Sequence, residues 1–290
     1  MLFSFQECLW FLNRNLDDCL HPIAGTSVSR ALLIGDEIVS LTVSEKGNDL
    51  IIDTSATDTD DKVLGEIRAY VEEWFDLGRD IEPFYELLDV HPAFGYMARD
   101  FVGLRKMGVP DVFESLTWSI IGQQINLTFA YKLKRALVDR YGATVSFGKQ
   151  SLVTFPGASI LASVSVDDLR SLQFSRQKAS YIINAAQIFA SGQLSKQVLL
   201  ELSIEERIKA LVSLKGVGAW TANYVLMKSL NGVNGLPPGD AGLLKALENH
   251  KLLPNRDDQE AVRKIFNEFE GWQSYLVHYL WRSLSLPTSP

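Results

Sequence analysis

Apolar positions change their period once along this chain. Phe5–Leu12 carries a short helical pattern, and a His21-Pro22 break follows. Three strand-like runs come next, Ser29–Ile34, Glu37–Val43 and Leu50–Asp53. Gly35-Asp36 and Glu45-Lys46-Gly47-Asn48-Asp49 separate them with residues that favour chain reversal, which predicts an antiparallel sheet. Val63–Leu77 returns to helical spacing, with Val63, Leu64, Ile67, Tyr70, Val71 and Trp74 on one face. From about Ile81 strand signals become sparse. Helical patterns recur at 82–89, 111–121, 127–141, 158–163, 166–172, 176–191 and 203–212, then from 219 onward, with loops of Gly, Pro or Ser between them. Leu286–Pro290 reads as a frayed tail. The pattern predicts an α+β chain: a small N-terminal domain with an antiparallel sheet, then a helical body without internal repeats.

One stretch organises the rest: Leu214-Lys215-Gly216-Val217-Gly218-Ala219-Trp220-Thr221-Ala222-Asn223-Tyr224. Ser203-Ile204-Glu205-Glu206 has the form of a capping box, opening a helix whose Ile208, Leu211 and Val212 share a face. A second helix is expected from about Ala219 to Leu230, with Val225 and Leu226 inward. The glycines between them permit a tight turn and a close backbone approach. The free N–H groups opening the second helix then suit an anion such as phosphate. A Gly-x-Gly pair alone is equally the mark of an ordinary helical corner.

Composition changes this picture in two places. At 290 residues, 47% hydrophobic and 22% charged, the chain has the make-up of an ordinary globular protein. No apolar run reaches membrane-spanning length, and the start has no signal-peptide shape, so a cytoplasmic location is expected. Cys8 and Cys19 are the only cysteines and four histidines are scattered, which excludes a four-cysteine iron–sulfur cluster and argues against zinc. The net charge of −7 is unevenly spread. Residues 1–100 carry 7 Lys+Arg against 20 Asp+Glu, and the remainder carries 21 against 15. The acidic excess lies wholly in the first third, leaving a modestly basic remainder that nucleic acid would tolerate.

Candidate chemistry clusters around the hairpin. Asn231–Leu243 is rich in Gly and Pro and places Asp240 directly before the helical run Leu243–Leu247. Asp240 is therefore a good N-cap, and a capping carboxylate can also face a cleft. Trp220 and Tyr224 lie four apart on one helical face, and Ser274–Trp281 forms another aromatic helix. Core packing is the ordinary reading of such aromatics. Gly122-Gln123-Gln124-Ile125-Asn126, between two helices, reads alone as a polar turn.

The hairpin stretch resembles the helix-hairpin-helix DNA glycosylase superfamily, whose pattern is Leu-x-Gly-[Val/Ile]-Gly-x-x-Thr-Ala. Trp-Thr-Ala-Asn-Tyr at 220–224 and Ser-Tyr-(x)5-Trp ending at Trp281 resemble its bacterial alkylbase branch, the 3-methyladenine glycosylase II type. The resemblance implies a two-lobed helical body after the sheet domain. Its expected parts are 1–88, 110–230 with the wedge loop and hairpin, and 89–109 plus 231–290 with the catalytic carboxylate. Asp240 matches the catalytic aspartate of Pro-x-x-Asp-x-Gly-Leu. Trp220, Tyr224 and Trp281 match base-pocket aromatics, and Trp10-Phe11-Leu12 adds Phe11. Gln124 matches the wedge that fills the gap left by a flipped nucleotide, with Gln123 supporting the turn.

Lys215, Gly216, Gly218 and Thr221 correspond to the phosphate-binding hairpin, and Leu214 and Val217 to backbone ligands of a Na+ or K+ ion there. No other cofactor is implied. Trp220 occupies the position of the lyase lysine, so a monofunctional, monomeric enzyme acting on damaged double-stranded DNA is expected. Two alternatives stay open on the residues: a hairpin module that only binds DNA, and a glycosylase for oxidised or deaminated bases.

Overall fold

The computed structural model of the chain describes residues 2–14, 18–35, 37–47, 49–56, 61–253, 255 and 258–285. The tail expected at 286–290, and Asp36 and Asn48 of the two expected turns, lie outside the described residues. Helix α1 (Phe5–Leu12) precedes strands β1 (Ile23–Ala24), β2 (Ser27–Ile34), β3 (Glu37–Lys46) and β4 (Asp49–Thr54). Helices α2 (Asp61–Trp74), α3 (Glu82–Val90), α4 (Gly95–Asp100), α5 (Val112–Gly122) and α6 (Leu127–Tyr141) follow. A hairpin of β5 (Thr144–Phe147) and β6 (Gln150–Val153) comes next. The remainder is helical: α7 (Ala158–Ala162), α8 (Val166–Ser171), α9 (Arg176–Ala190), α10 (Lys196–Glu201) and α11 (Ile204–Val212). Then come α12 (Ala219–Ser229), α13 (Ala241–Asn249), α14 (Gln259–Asn267) and α15 (Gln273–Ser283).

These elements form two compact units, each discontinuous in sequence. One comprises Asn15–Val71 and Asp111–Val217. Its sheet is an antiparallel meander in the order β1-β2-β3-β4, with Ser27 opposite Ser44 and Leu41 opposite Thr54. Gly35 and Gly47 take positive φ (59° and 65°) at the two reversals, which explains glycine there. Strand β2 is buried on both faces over Val28–Leu32, so its sequence does not alternate as a half-exposed strand does. Arg30 in that run is held by an ion pair to Glu114 of α5, both deeply buried. A second buried pair joins Lys134 of α6 to Asp18 at 2.6 Å. Helix α9 packs against α5, α7 and α8.

The other unit comprises Met1–Arg14, Glu72–Pro110 and Gly218–Pro290. Aromatic side chains fill its core. Phe84 sits 4.9 Å from Tyr279 and 5.3 Å from Tyr275, ring centre to ring centre. Their polar ends are satisfied inside: the Tyr85 and Tyr279 hydroxyls share a 2.8 Å hydrogen bond, and Tyr275 donates to Asp76 at 2.6 Å. The 103–110 segment runs along α12, where Val109 N–H donates to Lys228 O and Ser229 Oγ donates to Val109 O.

The sequence pattern missed five elements. The hairpin β5–β6 interrupts the expected run of helices, and β1, α4 and α10 were unmarked. The last three are 2 to 6 residues long, too short for a period to show.

Candidate active site

Helix α11 opens with the expected capping box: Glu206 N–H donates to Ser203 Oγ (3.3 Å) and Ser203 N–H to Glu206 Oε2 (2.9 Å). Its buried face is narrower than expected. Leu211 is buried, but Val212, one residue and about 100° further round the helix, is 43% exposed.

The turn that follows treats its two glycines differently. Gly216 has φ +83°, and a Cβ there would lie 2.0 Å from Cδ2 of the Tyr181 ring. The surrounding protein therefore demands glycine at 216. Its carbonyl accepts a 2.9 Å hydrogen bond from Gln123 Nε2, which ties the Gln123 loop to the turn. Gly218 has φ −100°, and a Cβ there would meet nothing within 4 Å. Among the described residues nothing requires glycine at 218, and the bare backbone there leaves room for a close approach from outside. Gly218 stands as the N-cap of α12 with no side-chain cap, leaving backbone donors at that end for an external acceptor. Leu214 and Val217 are buried, with Val217 N–H donating to Leu214 O at 3.1 Å, while Lys215 is exposed. Thr221 departs from its expected place on the phosphate-facing surface. It is 2% exposed, on the inward side of α12.

Asp240 is the N-cap of α13, and much more than a cap. Its Oδ1 accepts from Leu243 N–H at 2.7 Å and from the Trp281 indole N–H at 2.9 Å. Its Oδ2 accepts from the Trp220 indole N–H at 3.0 Å. Glycine at 239, with φ +71°, turns the chain just before it. A side chain at Gly242 would crowd both Asp240 Oδ1 (3.3 Å) and the Trp281 ring (3.4 Å). Three uncharged donors thus fix the carboxylate without cancelling its charge. Since each carboxylate oxygen offers about two lone-pair sites, Oδ1 is filled, whereas among the described residues Oδ2 accepts from Trp220 alone.

The same indoles belong to an aromatic row. Trp220 and Tyr224 stack at 5.3 Å with planes 14° apart, and Tyr224 lies 6.4 Å from Trp281 at 39°. Trp220 and Trp281 are half-buried and Tyr224 is buried. Phe11 is buried deeper, its ring tilted 33° to His278 at 3.8 Å between centres, with the Arg14 guanidinium 3.5 Å from its ring centre. Burial and cationic neighbours hold the His278 imidazole well below its usual pKa, so it is neutral.

Gln124 is exposed and has φ +56°, a backbone conformation uncommon for a residue with a Cβ. Asn126 caps α6 just beyond it, accepting from Phe129 N–H at 2.8 Å. At the other side of the loop Lys178 Nζ donates to Ile121 O at 2.7 Å, at the end of α5. The loop is therefore fixed on both flanks while Gln124 projects outward.

Two features escaped sequence reasoning. The indole bonds to Asp240 join residues 20 and 41 positions apart, which no local pattern reports. Lys228 continues the spacing of Trp220 and Tyr224 by four more residues, a signal present in the sequence.

Comparison with known proteins gives a consistent answer. Residues 117–270 match the family described as HhH-GPD superfamily base excision DNA repair protein, and residues 24–116 match the 8-oxoguanine DNA glycosylase N-terminal domain. The chain is 34% identical to the DNA-3-methyladenine glycosylase of Bacillus subtilis, over 98% of this chain and 94% of that protein. It is 24% identical to DNA-3-methyladenine glycosylase 2 of Escherichia coli, over 96% and 93% respectively. Among solved structures, the 3-methyladenine DNA-glycosylase from Archaeoglobus fulgidus superposes with a TM-score of 0.86 at 24% identity, covering 99% of this chain and 97% of that one.

Proposed function

Because the chain belongs to the HhH-GPD superfamily of base excision DNA repair proteins, we propose that it hydrolyses the N-glycosidic bond of alkylated purines in DNA, leaving an abasic site. It is a DNA glycosylase of the 3-methyladenine type. The observation that carries the site assignment is the carboxylate of Asp240 held by the indoles of Trp220 and Trp281, whose faces belong to the aromatic row. A cap alone needs only the Leu243 bond; the two indole bonds argue against a module that merely binds DNA.

The chemistry follows from charge. A purine alkylated at a ring nitrogen is a cation and a good leaving group, so no acid is needed to protonate it. The electron-rich ring faces attract that cation by about 1–2 kcal/mol when water is excluded. As the bond breaks, positive charge moves to the sugar. Asp240 Oδ2 stabilises that charge and orients the attacking water. Neutral donors suit this task, because a Lys or Arg partner would neutralise the carboxylate needed by the sugar. Trp220 stands where a strand-cleaving relative would need an amine nucleophile, so the sugar–phosphate backbone is left intact.

We assign Gly216, Gly218 and exposed Lys215 to phosphate binding at the hairpin, a sequence-blind contact. Gln124 fills the gap left by the flipped base, and Gln123 holds the loop to the turn. The carbonyls near Leu214 and Val217 are uncharged oxygen donors, which fit a Na+ or K+ ion; its role would be to offset phosphate charge. The division by sequence into 1–88, 110–230, and 89–109 with 231–290 cuts across the two compact units, one of which takes in 1–14, 72–110 and 218–290 together. Among the described residues no helix is long and apolar enough to cross a membrane. We place the protein in the cytoplasm, acting on duplex DNA as a monomer.

The test is base release from methylated duplex DNA, with free base and strand breaks measured separately. Free base with breaks only after alkali is expected. Breaks without alkali would refute the monofunctional reading.

A further inference from the structure

Trp220, Tyr224 and Lys228 recur at every fourth position of α12 and so share one face. The third is a cation at the inner end of an aromatic row. Lys228 Nζ lies 5.6 Å from the ring centre of Trp281 on α15 and 5.7 Å from that of Phe11 on α1. It donates to Met107 O at 2.7 Å, and the residue is only 8% exposed.

The groups facing it are known from each side. Lys106, whose Nζ donates to Met227 O, and Arg14 are the charges acting on it, and both are positive. Asp76 acts on Lys106 in turn. From α15 come Trp281, with Asp240 on its indole N–H, and neutral His278, whose Nε2 accepts from Met107 N–H at 3.4 Å. Burial first, and then these two cations, push the Lys228 amine well below its usual pKa.

We propose that Lys228, whose amine stands beside the Trp281 and Phe11 rings at the inner end of the aromatic row, is a specificity-determining residue that reads the charge of the extruded base. The inference rests on the reading of Trp220, Tyr224, Trp281 and Phe11 as the base pocket. An ammonium beside Trp281 and Phe11 would repel a cationic base and compete for the same ring faces. A neutral lesion such as hypoxanthine feels no such repulsion. The ratio of the two activities isolates this effect, because any group needed for both, Asp240 included, cancels.

The experiment measures single-turnover excision of 3-methyladenine, which has no ring N–H to lose and stays cationic, and of hypoxanthine from duplex DNA between about pH 5.5 and about pH 8, for the unaltered chain, Lys228→Met and Lys228→Arg. In the unaltered chain the cationic-to-neutral ratio should fall with acid by about tenfold or more. Lys228→Met should give a high, pH-independent ratio. Lys228→Arg, charged at every pH, should give a low, pH-independent one. Should the methionine variant fail to fold, the unaltered chain and the arginine variant still carry the test. Release of both bases with the same pH-independent ratio in all folded proteins overturns the role of Lys228 and leaves the pocket reading intact. Unchanged excision of both bases by Trp220→Ala overturns the pocket reading itself, and the proposal with it.

Discussion

Replacing Trp220 or Trp281 with Phe keeps an aromatic face and deletes one N–H bond to Asp240. The two replacements are not equivalent. Without Trp281, Oδ1 still accepts from Leu243 N–H at 2.7 Å. Without Trp220, Oδ2 loses its 3.0 Å donor, and Oδ2 is the oxygen assigned to the sugar cation. A hydrogen bond to a charged group is worth about 1.5–3 kcal/mol. Since about 1.4 kcal/mol is a factor of ten in rate, losing the orientation entirely corresponds to a drop of about 10- to 150-fold. Trp220→Phe should therefore lower single-turnover base release by about tenfold or more. Trp281→Phe, its oxygen still anchored, should lower it by only about threefold. Binding of the methylated duplex should change little, because the ring faces remain. The assay is release of free base under excess enzyme, with DNA affinity measured in parallel. A Trp220→Phe enzyme of unchanged rate, or a Trp281→Phe enzyme that is the slower of the two, would refute the reasoning.

Three further outcomes follow from the geometry. Gly216→Ala should cost about 3 kcal/mol or more of stability, from its φ and the clash with the Tyr181 ring, whereas Gly218→Ala should unfold normally in thermal melts yet bind DNA more weakly; equal melting losses would contradict this asymmetry. Burial and neighbouring cations hold His278 and Lys228 well below their usual pKa values in the fold, so below about pH 6.5 the unfolded chain takes up a His278 proton that the folded one binds less readily, and stability should fall as the pH is lowered. Asp18 adds to this further down. Burial raises its pKa, but Lys134 and His21 outweigh that, so its contribution is present above about pH 3.8 and lost below it; denaturant titrations showing flat stability from neutral to mildly acid pH would count against the buried groups. Arg30→Met should cost about 3–5 kcal/mol by stranding Glu114, while Arg30→Met with Glu114→Leu should recover most of it in the same titrations.

Much of the fold was legible because its helices are amphipathic and well capped. α1 and α6 lie where the pattern placed them, and β2, β3 and β4 fall within three residues of the expected runs. Asp240 was legible as an N-cap for the same local reason. The β5–β6 hairpin was not, since each strand has only four residues and Gln150-Ser151-Leu152-Val153 does not alternate. The exposure of Val212 and the burial of Thr221 depend on what each helix packs against, which period alone does not specify. The bonds from Trp220 and Trp281 to one carboxylate are tertiary, and no spacing rule connects residues on α12, α15 and the cap of α13. Motif resemblance groups these residues as an expected pocket; the structure adds that two of them hold the carboxylate.

The most direct test of the account is single-turnover base release by Asp240→Asn on methylated duplex DNA, with binding measured beside it. Asparagine preserves shape and keeps one accepting oxygen for Leu243 N–H and the Trp281 indole, but turns its NH2 on the Trp220 indole and brings no negative charge to the sugar. Release should fall by about a hundredfold or more while the duplex is still bound. Release at the unaltered rate, with normal binding, would contradict the account and reduce Asp240 to a helix cap.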